Sequence, residues 1–341
     1  AGPEQRRNPR PMSKIIHVGL PKCASTSLQV LFIQAKGTTF LGKGANATGL
    51  EAVKDWMRRT FLGEPPRFRE SLYPTKAIRD IFRDALPSDR ILSDDEIAAM
   101  RAELDATVRG FKGDPAKLLV SDEVLSGAGF IFFNEPRRRL EGIIQTAGRL
   151  FGPDALVVVV MRSQLPFLTS YWKHLIRTGY PFTFGHFLSE QSDDFATASS
   201  WRSVTASLFY DHVRRAAAEA GVRVAFVPFE DVTGDQTMLR RVFADEGITM
   251  PPGLPHRRRT ASDESHILKL KRNRTALRKR GNMFTPEQLQ ADEPGFRWVI
   301  ENNTLFDPTP HRERLIEAFR PENRAFAAAT GYDLAKMKYP V

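Results

Sequence analysis

Lys22, Ser25, Thr26 and Ser27 stand within six residues of one another, between a short apolar run and a helical pattern. One ammonium and three hydroxyls are donors suited to a phosphate. The run Ile15, Ile16, Val18 reads as a strand, and Leu28, Leu31 and Phe32 follow the hydroxyls at helical spacing. Gly19, Leu20, Pro21 and Lys22 make the turn between them. A strand–turn–helix aims backbone N–H groups and the positive end of a helix dipole at one point, and such a point binds phosphate. Cys23 and Ala24 add backbone N–H groups to it. A helix N-terminus beside Lys22 would also lower the thiol pKa of Cys23. The better reading of Cys23 is a small residue whose N–H matters more than its sulfur.

The spacing excludes the commonest phosphate loop. A Walker A motif places Gly-Lys after a first glycine and four intervening residues, then Ser or Thr for magnesium. Here Lys22 comes three residues after Gly19, and Ser25 stands six after it.

Residues 155–174, ALVVVVMRSQLPFLTSYWKH, hold a second candidate pair. The run from Leu156 to Met161 has the length of a buried parallel strand and ends in Arg162. Ser163 is placed to cap a following helix that carries Ser170, eight residues beyond Arg162. Arg offers a planar fork of donors to a phosphate, and a serine hydroxyl completes it.

Both motifs resemble those of sulfotransferases that use 3′-phosphoadenosine 5′-phosphosulfate (PAPS). Pro21–Ser27 resembles their 5′-phosphosulfate loop, and Arg162 with Ser170 resembles their 3′-phosphate motif. A third likeness is LFYDHV at 208–213, followed by VRVAFVPFEDV at 222–232. The resemblance implies that Lys22, Cys23, Ala24, Ser25, Thr26 and Ser27 hold the 5′ side, with Lys22 against the leaving oxygen. It implies that Arg162 and Ser170 hold the 3′-phosphate and that Tyr210 packs near the adenine. An aromatic filling the helix–sheet seam would account for Tyr210 almost as well. Phe229 reads as core, and Glu230 and Asp231 as caps of the next helix.

Sulfotransferases often bring a basic loop over the cofactor from the later part of the chain. HRRRTAS at 256–262 could be that loop, with Arg257, Arg258 or Arg259 on phosphate, although it departs from the Arg-Lys-Gly form of the cytosolic enzymes. The resemblance implies transfer of a sulfuryl group from PAPS to a hydroxyl or amine of a small molecule or saccharide. PAP is the product and no metal is required.

A general base should take the acceptor's proton. KLLVSDEV at 117–124 delivers Asp122 and Glu123 to a strand's carboxyl end, where ligands bind in open α/β sheets. Glu123 is the first candidate base, and many bacterial and Golgi-type sulfotransferases carry a similar Ser-x-Glu. The competing reading has Ser121 and Asp122 capping a helix, with Glu123 in its first turn. His174 and His186 are weaker candidates, and His17 reads as a packed strand residue. The rival class is a kinase or NTPase using ATP and magnesium. LLVSDE imitates a Walker B strand, but the Gly-Lys-Ser/Thr is missing.

The chain has 341 residues, 41% hydrophobic and 26% charged, which suits one large globular domain. Residues 1–12 read as a disordered leader or an expression remnant, and 13–341 as a single domain. That domain carries a helical insertion at 43–115 and a cofactor-covering helical region at 251–341. No run of about 18 apolar residues predicts a membrane span. One cysteine excludes an intramolecular disulfide and suits a reducing cytoplasm. The net charge of +10 is densest at 256–260 and 269–280. Those stretches lack stacking aromatics, so they read as a solvated face and not as a specific nucleic-acid site. Dispersed histidines predict no metal site. Aromatic residues of 56–82 and 167–187 are candidate acceptor linings.

Strands are expected at 14–19, 37–41, 117–121, 155–161 and 222–228. Helices are expected at 25–35, 93–109, 136–150, 164–177, 203–220, 235–246, 264–279 and 310–328. Ser93 with Glu96 makes a capping box for the second helix. This alternation predicts a three-layer α/β/α fold with a central parallel sheet, P-loop-like and similar to the sulfotransferase fold.

Overall fold

A computed structural model describes residues 13–42, 80–81, 90–109, 117–121, 125, 140–152, 154–192, 194–252, 262–280 and 284–341. In chain order its elements are β1 (Ser13–His17), α1 (Ser25–Ile33), β2 (Thr39–Gly42), α2 (Asp94–Arg109), β3 (Lys117–Ser121), α3 (Leu140–Phe151) and β4 (Ala155–Met161). There follow α4 (Gln164–Thr178), α5 (Phe184–Gln191), a 3-10 turn (Ala198–Ser200), α6 (Ser203–Ala206), α7 (Tyr210–Glu219) and β5 (Arg223–Pro228). The remainder is helical: α8 (Phe229–Thr233), α9 (Thr237–Asp245), α10 (Asp263–Arg280), α11 (Pro286–Ala291), α12 (Glu293–Asn302) and α13 (Thr309–Thr330).

These residues form two compact units. The first takes the described residues up to Met161 and those from Val213 to 252. The second takes Arg162–His212 and those from 262 onward.

The first unit is built on one sheet of order β2-β3-β1-β4-β5, parallel throughout. A strand inside such a sheet is covered on both faces and needs apolar residues at every position. β4 meets that demand, since all seven residues of ALVVVVM are buried. Each fully buried Val or Met there stabilises by roughly 1.5–3 kcal/mol relative to exposure.

Strand order fixes the helix layers. The chain leaves β1 toward β2 on one side, whereas β2→β3, β3→β4 and β4→β5 all run the other way. Right-handed crossovers then put α1 on one face and α2, α3 and α7 on the opposite face. The contacts agree. Phe32 of α1 meets Phe243 of α9 at 5.1 Å, and α2 donates from Arg101 Nε to the Leu150 carbonyl of α3 at 3.0 Å. Gly148 of α3 lies so close to Val222 that a Cβ would not fit. The result is the expected three-layer α/β/α fold with a central parallel sheet. Because the β1→β2 connection runs against the other described connections of the sheet, the loop after β1 lies at its switch point.

The second unit is helical. α4 packs against α5, α10 and α13. Phe167, Tyr171, Trp172, Tyr180, Phe182, Phe184 and Phe187 are all buried, with ring contacts such as Trp172–Phe184 at 5.4 Å. The aromatics of 167–187 are therefore core, not the acceptor lining expected of them. Those of 56–82 lie outside the described residues. Arg274, buried, donates to Asp292 at 2.5 Å and to Glu293 at 2.8 Å, and lies 4.2 Å over the Phe296 ring. Burial pushes the Asp292 carboxyl above its ordinary value, while Thr183 and Arg274 pull it back.

Local signals mostly held, with physical reasons where they did not. Ser93 and Glu96 exchange both bonds of the capping box, at 2.8 and 3.2 Å. The helix expected at 203–220 breaks into α6 and α7, because the Leu208 carbonyl is taken by Gln164 Nε2 at 3.2 Å while Leu208 and Phe209 turn into the core. α13 runs through Pro321 without ending. The short helices α5, α8, α11 and α12 had no periodic signal long enough to declare them. Phe229, read as core, is only half-buried.

Candidate functional site

β1 ends at His17, and the next residues build a turn of unusual backbone. Gly19, Lys22 and Ala24 all take positive φ, at 38°, 66° and 59°. The Cys23 N–H closes the turn onto the Leu20 carbonyl at 3.2 Å, with Pro21 and Lys22 at its two central positions. A positive φ at the second centre is usually a glycine's place. Here Lys22 holds it, and Ala24 repeats the left-handed conformation as the N-cap of α1. Two of the six left-handed non-glycine residues among those described thus fall within this one turn. Such residues cost about 1–3 kcal/mol each, and they cluster where backbone N–H groups are gathered for a ligand.

The floor of the turn is a buried side-chain pair. His17 Nδ1 and Ser121 Oγ lie 2.8 Å apart, both wholly buried, and join the carboxyl ends of β1 and β3. Phe32 presses edge-on to the His17 ring at 5.5 Å. Gly19 rests against the same ring, and a Cβ there would come within 2.8 Å of His17 Cε1. His17 is therefore packed and hydrogen-bonded, as its place in the strand predicts. The Ser121 hydroxyl lies against His17 Nδ1, and the residues it would cap lie outside the described ones.

Ala24 provides no side-chain cap, so the first turn of α1 presents amide N–H groups that the helix's own carbonyls cannot take. Ser25 is buried and Ser27 half-buried in that turn. Lys22 is half-buried, and Cys23 has no exposed surface. The backbone from Lys22 to Ser27 is thus one contiguous loop and helix start in the first unit. An ammonium, hydroxyls and the N–H groups of a helix start are donors of the type a phosphate accepts.

Arg162 follows Met161, the last residue of β4, and opens the second unit. Its backbone is held by one side chain. The Arg162 N–H donates to Tyr210 Oη at 2.9 Å, and the Tyr210 hydroxyl donates to the Arg162 carbonyl at 2.6 Å. Tyr210 has no exposed surface. Ser163 occupies the N-cap position of α4 without capping, and its hydroxyl donates to the Lys338 carbonyl at 3.1 Å. Ser170 and His174 are half-buried one turn apart on α4. His186 stacks on Phe182 at 4.1 Å and lies 3.3 Å from Glu190.

Asp231 caps as expected, with its carboxylate accepting from the N–H groups of Met238 at 2.8 Å and Leu239 at 2.9 Å at the start of α9. Glu123 and Arg257, Arg258 and Arg259 lie outside the described residues, as does the Thr26 side chain. The sequence reading missed the pairing of His17 with Ser121 and the hold of Tyr210 on Arg162. Gly19 beside a strand-end histidine was a readable signal for the first. Nothing local announces the second. Among the described residues no group of three or more His, Cys, Asp or Glu side chains could hold a metal, and no helix is long and apolar enough to cross a membrane.

No protein-family model and no curated protein matches the chain. One similar solved structure is a crystal structure of a sulfotransferase from Alicyclobacillus acidocaldarius. It is 16% identical, with a TM-score of 0.43, over 79% of this chain and 95% of that one. At that level of similarity the functional reading rests on this chain's own residues.

Proposed function

We propose that this chain is a PAPS-dependent sulfotransferase acting on a hydroxyl or amine of a small molecule or saccharide. The observation that carries the reading is the turn after β1. Lys22 and Ala24 hold left-handed backbone there, at the switch point of a parallel sheet and at the mouth of α1. PAPS supplies a sulfuryl group that passes from its 5′-phosphate oxygen to the acceptor and leaves PAP.

The backbone N–H groups of Cys23 and Ala24 and the hydroxyls of Ser25, Thr26 and Ser27 bind the 5′-phosphate. Lys22 stabilises negative charge as it builds on the leaving oxygen, where a fixed cation counts most. Arg162, with Ser170 on the following helix, binds the 3′-phosphate, and one of Arg257, Arg258 and Arg259 adds a further cation. Glu123 takes the acceptor's proton, with His174 next in line. Buried Cys23 serves through its backbone.

Thermal-shift measurement with PAP, AMP and ATP plus magnesium tests the class, because ligands that bind the folded state raise its stability by mass action. Preferential, metal-independent stabilisation by PAP is expected, and preference for ATP with magnesium overturns the reading in favour of a kinase or NTPase. Incubation with PAPS and a metabolite library should then reveal an acceptor gaining about 80 Da, the mass of SO3.

A further inference from the structure

The junction between β4 and α4 is tied down from distant parts of the second unit, through Arg162 and the two residues that follow it. Tyr210 holds both backbone polar groups of Arg162, at 2.9 and 2.6 Å. Ser163 reaches the Lys338 carbonyl at 3.1 Å. Gln164 Nε2 donates to the Leu208 carbonyl at 3.2 Å and to Asn323 Oδ1 at 2.9 Å. Asn323 donates onward to the Pro340 carbonyl at 2.7 Å. Tyr210 is in turn wedged between the rings of Phe326 at 6.1 Å and Tyr339 at 6.2 Å. Gln164, Tyr210, Asn323 and Tyr339 are all buried.

A buried tyrosine hydroxyl needs a partner, but a single acceptor would satisfy it. Here it spans the N–H and the carbonyl of one residue. That is a bidentate grip on a backbone, and it fixes φ and ψ at the point from which the Arg162 side chain departs. With no exposed surface, Tyr210 reaches a ligand only through Arg162.

We propose that Tyr210 is a positioning residue for Arg162: its hydroxyl, backed by the 338–340 segment, sets the backbone of the arginine that selects a 3′-phosphate. The inference rests on the proposed role of Arg162, and it replaces a direct contact of Tyr210 with adenine by an action at one remove. A misplacement of about an ångström in a bidentate contact is enough to lose much of its worth.

The test compares PAP with AMP, which differ only in the 3′-phosphate, by calorimetric titration of the full chain. Tyr210→Phe keeps the buried ring and removes both bonds. The affinity ratio of PAP to AMP should fall about five- to tenfold, the scale of one or two lost hydrogen bonds, with AMP affinity unchanged. In an Arg162→Ala background the same substitution should leave the ratio unmoved, since coupled residues are not additive. Ser163→Ala, a milder loosening of the same junction, should narrow the ratio about twofold and serves if Tyr210→Phe does not fold. Equal losses for PAP and AMP, or a change in melting temperature alone, overturn the proposal in favour of a purely structural tyrosine. A ratio that Arg162→Ala itself leaves intact overturns the underlying role of Arg162, a result distinct from failure of the positioning step.

Discussion

His17 Nδ1 lies 2.8 Å from Ser121 Oγ, and this buried contact joins two neighbouring strands directly beneath the turn that carries Lys22. The glycine of that turn sits on the histidine ring, so the turn has no room to settle lower. Gly19→Ala should therefore strain both its φ of 38° and its contact with His17. A loss of about 1–3 kcal/mol in unfolding free energy is expected from denaturant titration. Binding of PAP should weaken with it. Unchanged stability would mean that the turn is softer than its packing implies.

Lys22→Ala should abolish turnover while weakening PAP binding only modestly, because a cation beside the leaving oxygen matters most in the transition state. Steady-state kinetics decides it. A kcat within about threefold of wild type removes the leaving-group role.

Arg162→Ala should cost about 2–4 kcal/mol of PAP affinity, the usual loss of a charge-assisted fork. Adenosine 5′-phosphosulfate, which lacks the 3′-phosphate, should bind nearly as before. Equal losses for both ligands would place Arg162 on the 5′ side or in the fold.

Glu123→Gln keeps size and hydrogen bonding but cannot accept a proton. General-base catalysis contributes about 10²–10⁴-fold, so kcat should fall by that factor with PAP affinity and melting temperature little changed. Near-normal activity would pass the role to His174, and a large loss of thermal stability would support the capping role instead.

His311 on α13 gives a pH dependence of stability. Its ring lies 5.7 Å from that of Phe184, and burial first, then Arg314, lower its pKa below the ordinary 6.5, with Asp307 opposing. The folded state therefore disfavours the proton that the unfolded chain accepts. The stabilisation is present above pH 6.5 and is lost as pH falls through the lowered folded value. His311→Gln should flatten the fall of melting temperature as pH drops below 6.5. An identical slope in the variant would remove His311 from the acid limb.

What the sequence discloses follows the range of the interactions. β4 announces itself because seven buried positions in a row admit only apolar residues. Asp231 reads as a cap because the helix it serves begins six residues later. Lys22 and the hydroxyls after it are legible because the turn and helix start that carry them are contiguous in the chain. Tyr210 and Arg162 stand 48 residues apart, and Gln164 and Asn323 stand 159 apart. Neither pair leaves a periodic trace. The aromatics of 167–187 misled for a related reason, since a ring that fills a core and a ring that lines a binding site have the same side chain. Only burial separates them, and burial is a property of the whole unit.

The strand order also carries a timetable. β1 lies between β3 and β4, and His17 is in register with Ser121, a separation of 104 residues. At a synthesis rate of about 5–20 residues per second, roughly 5–20 seconds pass between the making of β1 and the making of its first lateral partner. Ile15 and Ile16 wait through that interval as an apolar segment without a lateral partner. A nascent chain held in that condition is a natural client for a chaperone. The seat of the Lys22 turn consequently waits for β3, although Lys22 itself is made long before Ser121.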